Sequence, residues 1–179
     1  MKKFVTILAG AALLTSAFAS GSNAKAPGPI VKPWELTFGY HMPTGDLDTI
    51  GFSGGFMAGL DYYINQFGSN TMGFVGVRGW FLEESGVRST AYGAHYGVRF
   101  NAGNPGGAGA GSGMFFFKIA AGYYNNDLDG VVNEWGFGGF ATLGYEFANG
   151  FNIEFGYQFA PDVASINNVG WYIAGSFRF

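Results

Sequence analysis

The stretch Val169-Gly-Trp-Tyr-Ile-Ala-Gly-Ser-Phe-Arg-Phe179 closes the chain and decides the fold. Counted from Val169, every second residue is mostly large and apolar, whereas the residues between them are small or polar and include Arg178. A period of two residues predicts a β-strand whose two faces meet different surroundings. Because the run ends on the aromatic Phe179, we expect its apolar face to meet lipid rather than a protein core.

The composition favours a protein that crosses a membrane with strands. Charged residues make up 12% of the chain, aromatic residues make up 19%, and 32 of the 179 residues are glycine. Soluble domains contain about 25% charged residues on average. No long apolar run follows the N-terminal region, and only a β-barrel can meet lipid with one residue in two. The sequence therefore predicts an all-β transmembrane barrel.

The N-terminus has the pattern of a cleavable signal peptide over residues 1–24. Two lysines precede the short apolar run Phe4–Leu14, and small residues offer cleavage sites after Ala19 or after Ala24. This run is shorter than the roughly 20 residues that a spanning helix needs. We therefore predict export, followed by a barrel domain of residues 25–179. The chain has no Cys and hence no disulfide or lipidated cysteine.

Eight alternating segments account for most of the predicted domain. They span residues 34–42, 52–64, 71–82, 91–101, 114–125, 134–147, 151–160 and 169–179. A tilted spanning strand needs about 9–11 residues, so these lengths fit. An even count predicts an eight-stranded antiparallel up-and-down β-barrel with both termini on the periplasmic side. The outer loops are then residues 43–51, 83–90, 126–133 and 161–168.

An internal repeat relates the first hairpin to the third. Asp46-Leu47-Asp48 recurs as Asp127-Leu128-Asp129, and Gly54-Gly55-Phe56 recurs as Gly138-Gly139-Phe140. An offset of four strands supports the even count. The acidic loops could offer carboxylates to Ca²⁺ or to cations that bridge lipopolysaccharide. Two acids per loop are few for a dedicated site, and Asp is common in turns, so we expect no metal and no cofactor.

The charged residues of the strands share the face opposite the large apolar residues. The ionic network predicted inside the barrel comprises Glu35, His41, Asp61, Arg78, His95, Arg99, Lys118, Glu134, Glu146, Glu154 and Arg178. Eight strands enclose an interior that side chains just fill, and an isolated buried charge is costly. We therefore expect these groups to pair, with Glu35 and Arg178 as direct partners. Trp80 shares the parity of Arg78, which suggests a β-bulge there.

Aromatic residues are expected to mark the two membrane interfaces. The residues predicted for these girdles are Trp34, Trp135, Trp171, Phe147, Phe177 and Phe179. Aromatic rings concentrate at the headgroup level of membrane proteins because they are apolar with a polar edge.

Little in the sequence points to chemistry. His41 and His95 are the only histidines, and no Ser or Asp lies at a spacing that commits either to catalysis. We expect both to be satisfied within the interior network. The net charge of −3 at pH 7 and the absence of a basic patch argue against a nucleic-acid partner.

The signal peptide, the eight alternating segments and the closing run together resemble small outer-membrane β-barrels of the OmpA, OmpX and OmpW type. The ending, with Tyr172, Phe177 and Phe179, is similar to the C-terminal signal that the barrel-assembly machinery recognises in this family. The resemblance implies the outer membrane of a diderm bacterium, lipid contacts and assistance from that machinery. Ala174 stands where family members usually carry Gly.

Such barrels serve several functions, so the resemblance implies fold and location rather than activity. The first hypothesis is an integral outer-membrane protein, monomeric, with a structural or surface-interaction role and a filled interior. The alternatives are a narrow channel for small solutes and a lipid-modifying enzyme that uses His41 or His95.

Overall fold

The computed structural model describes residues 32–67, 70–102, 113–129 and 133–179. The predicted signal peptide, residues 1–24, lies outside them. The elements are β1 (Trp34–Thr44), α1 (Asp46–Thr49), β2 (Gly55–Phe67), β3 (Thr71–Glu84), β4 (Val87–Ala102), β5 (Met114–Leu128), β6 (Asn133–Glu146), β7 (Phe151–Val163) and β8 (Ile166–Arg178). No helix among these described residues combines the length and apolar character needed to cross a membrane.

The eight strands form one closed antiparallel barrel in chain order. Strand β8 closes it by pairing with β1 from Glu35–Arg178 to Thr44–Val169. The backbones of Trp34 and Phe179 also exchange hydrogen bonds of 3.1 and 2.9 Å. The predicted eight-stranded antiparallel fold is confirmed. We call the end of the barrel at Trp34 and Phe179 the terminal end, and the opposite end the distal end.

The alternating pattern follows from the closure of the sheet. On β8, Trp171, Ile173 and Phe177 are exposed on the outer surface, whereas Tyr172 and Arg178 are buried inside. The outer surface is apolar and the interior holds the charges, which is the reverse of a soluble barrel.

The strands run farther at the distal end than the sequence suggests. Two of the predicted outer loops, 83–90 and 161–168, are wrong, because β3 and β4 are joined by Ser85-Gly86 alone and β7 and β8 by Ala164-Ser165. All four turn residues have positive φ, from 49° to 81°. Such two-residue turns match the twist of paired strands and permit tight hairpins. Charged residues that suggested loops therefore lie on strands.

The predicted bulge at Trp80 is also wrong. Strand β3 keeps an unbroken register through Trp80 with both neighbours, and the irregularity of β2 and β3 lies between Tyr63 and Asn65. Trp80 points inward and is only 1% exposed. Its inward neighbours across the sheet, Met57 and Ala91, leave room for the indole ring.

The six residues predicted for the aromatic girdles are all exposed on the outer surface. Trp34, Phe147, Phe177 and Phe179 surround the terminal end, whereas Trp135 and Trp171 lie toward the distal end. Their position at a membrane interface stays a prediction.

Candidate functional site

The interior of the barrel is the candidate site, since it collects nearly all of the buried polar groups. From the terminal to the distal end we distinguish four layers, each defined by its residues. They are the ionic layer (Glu35, Arg99, Lys118, Glu146, Glu154, Arg178), the central layer (Asp61, Arg78, His95, Tyr124, Phe140, Tyr172), the amide layer (His41, Trp80, Asn126, Gln158, Asn168) and the apolar plug (Leu47, Phe52, Leu82, Leu128, Val163).

The ionic layer joins three acids to three bases. Lys118 Nζ lies 2.7 Å from Glu154 and also contacts Glu35. Arg99 bridges Glu35 at 3.1 Å to Glu146. These six side chains come from six different strands, because the narrow lumen brings opposite walls within reach of one another.

The predicted direct pair of Glu35 and Arg178 is wrong, although the two residues are cross-strand partners. Arg178 instead binds Glu146 at 3.1 Å. Glu35 reaches across the lumen to Lys118 and Arg99, and it also accepts hydrogen bonds from Tyr63 Oη at 3.1 Å and Asn152 Nδ2 at 3.3 Å. The two residues are therefore linked through Arg99 and Glu146 rather than by a direct ion pair.

In the central layer His95 of β4 reaches over β3 to contact Asp61 of β2. His95 Nε2 lies 2.8 Å from Asp61 Oδ1, and its Nδ1 lies 3.1 Å from Tyr124 Oη. The register places Gly76 of β3 between Asp61 and His95. A side chain at Gly76 would collide with this bridge, since a Cβ there would lie 2.8 Å from His95 Nε2. Glycine is therefore required for a close approach.

His41 makes a second bridge of the same kind in the amide layer. Gln158 Nε2 lies 3.0 Å from His41 Nδ1, and Gly170 of β8 lies beneath the pair. Beside it, Trp80 Nε1 donates to Asn168 Oδ1 at 2.9 Å. Asn168 Nδ2 in turn donates to Asn126 Oδ1 at 2.9 Å. The alternation already assigned Gln158 to the inward face, but sequence reasoning missed Asn126 and Asn168 because an uncharged asparagine gives no pairing signal.

The apolar plug closes the distal end, and the repeated Asp-Leu-Asp motif supplies two of its members. Leu47 and Leu128, the central residues of the two copies, are 1% and 6% exposed and pack with Leu82 and Val163. Helix α1 is held in place by Asn167, whose Nδ2 donates to Asp46 Oδ2 at 2.6 Å. The sequence draws attention to the acidic residues of the repeat as possible cation ligands, but the structure buries its leucines.

The distal surface outside the plug is strongly acidic. It carries Asp46, Asp48, Glu83, Glu84, Asp127, Asp129, Glu134 and Asp162. Arg88, which pairs with Glu83 at 3.4 Å, is its one base among the described residues. Glu134 was predicted to line the interior, and this is wrong because it is exposed near the distal end of β6, next to Asn133. Its parity is inward, but it lies on the end of β6 that pairs with β5, beyond Gly139, where the ladder with β7 stops.

The two histidines are remote from any substrate that stays outside the barrel. His41 is 0% exposed and His95 is 5% exposed. His95 is hydrogen-bonded through both ring nitrogens, whereas His41 is bonded through Nδ1 and its Nε2 has no protein partner. Neither is hydrogen-bonded to a serine of the described residues. Within the described ranges no three His, Asp or Glu side chains are grouped so that they could hold a metal ion.

The fold and the filled interior define a small transmembrane β-barrel of the outer-membrane type. A comparison with solved structures supports the fold through NspA. The chain is similar to Neisserial surface protein A (NspA), with a TM-score of 0.58 and 12% identity over 82% of this chain and 96% of that chain. It is also similar to Ail, the attachment invasion locus protein of Yersinia pestis, with a TM-score of 0.44 and 16% identity over 83% of this chain and 100% of that chain.

At these identities the likeness concerns the fold alone. No protein-family model matches the chain, and no curated protein matches it.

Proposed function

We propose that this chain is an integral outer-membrane protein with a structural or surface-interaction role and that its barrel does not conduct. The observation that carries the proposal is the closed interior. The ionic layer fills the lumen near the terminal end with side chains that are almost fully buried, and the apolar plug fills it near the distal end. An eight-stranded barrel leaves no further width for a channel.

The outer surface supports the membrane location. Large apolar side chains such as Phe38, Val77 and Leu143 are 50%, 54% and 64% exposed, which is unfavourable in water over so much of one sheet. In lipid the same residues are solvated, and all backbone groups of a closed sheet can be paired. Bilayer lipid is accordingly the first partner, and the barrel-assembly machinery would insert the closing strand that ends at Phe179.

The distal end is the part proposed to face the outside, with both termini in the periplasm. A surface role would then rest on the acidic residues around the plug, since a face with eight carboxylates and one arginine attracts cationic partners. The tight turns Ser85-Gly86 and Ala164-Ser165 hold three of these acids, Glu83, Glu84 and Asp162, on strands rather than on long loops.

Conductance of the purified chain in planar lipid bilayers tests the closed interior. The wild type should insert without unitary current steps, because ions meet two filled layers in series. A reproducible open step that disappears on changing inward Arg78 or Arg99 to methionine would refute the proposal and favour the channel. A detergent-only injection and a known porin are the negative and positive controls.

Cysteine labelling in intact cells tests the orientation, since the chain has no native Cys. Ser85→Cys lies in a distal turn and Asn149→Cys lies in a turn at the terminal end. A membrane-impermeant maleimide should label the first variant in intact cells and the second only after the outer membrane is opened. The opposite result would invert the barrel, and labelling of neither in the membrane fraction would contradict the location.

A further inference from the structure

Two charges of the interior are left over when the ionic layer is balanced. That layer holds three carboxylates and three cations in contact with one another. The remaining acid and base are Asp61 and Arg78, which are 1% and 2% exposed. Among the ion pairs of the described strands, none joins these two within 4.0 Å. Asp61 and Arg78 are therefore opposite buried charges that make no direct ion pair with each other.

Each of the two residues is fixed through one side and unpartnered on the other. Arg78 Nη1 donates to Tyr172 Oη at 3.0 Å, and its guanidinium carbon lies 3.7 Å from the centre of the Phe140 ring. Its Nε and Nη2 atoms have no protein acceptor. Asp61 binds His95 through Oδ1, whereas its Oδ2 has no protein donor. Leaving such buried atoms without any partner is costly.

The three side chains that carry these unpartnered atoms lie around a glycine on the inward face of the sheet. Gly59 of β2 pairs with Thr37 on one side and with Arg78 on the other, and all three face the interior. Thr37 Oγ1 is likewise buried without a protein partner. A Cβ on Gly59 would lie 3.4 Å from Arg78 Nε, and Asp61 follows two residues later on the same face. Because Asp61 pairs with Gly76, two residues before Arg78, the register also makes Asp61 a diagonal cross-strand neighbour of Arg78.

We propose that Arg78, Asp61, Thr37 and the floor at Gly59 form a built site for ordered water, which joins Arg78 to Asp61 as a water-mediated ion pair. A water molecule accepts from the N–H fork of Arg78 and donates to Asp61 Oδ2, and Thr37 Oγ1 offers a further bond. Buried water is retained where two to four polar partners surround it, and Arg78, Asp61 and Thr37 together supply four unpartnered polar atoms.

The charge balance favours water over an anion. The Nε and Nη2 fork of an arginine also binds carboxylate or phosphate in a bidentate manner. An anion here, however, would stand beside Asp61 and add a negative charge that no interior cation compensates, which is unfavourable in a buried place. Water satisfies the same donors without adding charge.

A high-resolution crystal structure of the refolded protein grown with sodium bromide tests the site directly. We expect electron density of water size within hydrogen-bond distance of Arg78 Nε or Nη2 and of Asp61 Oδ2, without anomalous signal from bromide. A bromide peak between them would overturn the proposal in favour of an anion site. Direct contact of Arg78 with Asp61, or the absence of density, would overturn it as well.

A matched pair of substitutions at Gly59 tests the same site in solution. Gly59→Ala and Gly59→Ser crowd it by the same Cβ, but only the serine hydroxyl can replace the hydrogen bonds of a displaced water. We expect the unfolding equilibrium constant of the alanine variant to exceed that of the serine variant roughly threefold to tenfold, the range for one net hydrogen bond. Equal constants for the two variants, or a less stable serine variant, would contradict the site.

Discussion

Replacing Lys118 by methionine should destabilise the barrel more than any change of an exposed charge. Methionine keeps most of the length and the apolar stem of lysine, so the substitution removes the ammonium group with little loss of packing. Lys118 is fully buried between Glu35 and Glu154. Glu35 would keep Arg99 at 3.1 Å, but Glu154 would keep only the hydroxyl of Ser176 at 2.8 Å.

The magnitude follows from that loss. Glu154 would become a buried carboxylate without a cation, and breaking a buried pair in this way costs about 3–5 kcal/mol. This corresponds to an increase of roughly two to four orders of magnitude in the unfolding equilibrium constant. Removing the second charge as well, in Lys118→Met with Glu154→Gln, should restore part of the stability because the uncompensated carboxylate is gone.

Urea unfolding of the refolded protein in lipid vesicles measures the effect, with tryptophan fluorescence and heat-modifiable migration on gels as readouts. Arg88→Ala is the matched control, since its contact with Glu83 at 3.4 Å is exposed and such pairs contribute less than about 1 kcal/mol. If Lys118→Met were no more destabilising than Arg88→Ala, the ionic layer would not support the fold. If the double variant were less stable than Lys118→Met, the unpaired Glu154 would not explain the loss.

Three further predictions have defined outcomes, and the second includes a control substitution. Gly76→Ala should cost about 1–3 kcal/mol in urea unfolding, because the new methyl group overpacks the bridge to His95; an unchanged midpoint would contradict that bridge. Leu47→Ala in the plug should cost about 2–5 kcal/mol, whereas Asp48→Ala beside it should change stability by less than about 0.5 kcal/mol; similar losses would argue against a buried plug. Phe179→Glu should reduce the heat-modifiable form in the membrane fraction, and normal assembly would refute its role in the closing strand.

The fold was accessible from the sequence because its main signal is local. The alternation of Trp171, Ile173 and Phe177 with smaller or polar residues needs no knowledge of neighbouring strands, and repeated eight times it gives the strand count. Strand ends were less accessible. Glu83 and Pro161 suggested loops, yet Glu83 pairs with Arg88 across a two-residue turn. Pro161 lies on β7 beyond Phe159, where the ladder with β6 has ended and no N–H is needed.

The sequence predicted most of the charged residues that lie inside the barrel, but it did not predict which of them pair with one another. Parity alone assigned Asp61, Arg78 and Lys118 to the interior. It could not identify partners, because a side chain in a narrow lumen reaches across to the opposite wall as well as along the sheet. Glu134 shows the remaining limit, since it has inward parity but is exposed on the end of β6 that lies beyond the ladder with β7.

The sequence by itself determined which residues face lipid and which face the lumen, because that choice depends only on a period of two along each strand. The tertiary structure decided what the inward residues do. Register and barrel closure place Lys118 against Glu35 and leave Arg78 and Asp61 apart. They also seat Leu47 and Leu128 in one plug from opposite halves of the chain. These outcomes depend on distances across the closed barrel, which no local pattern contains.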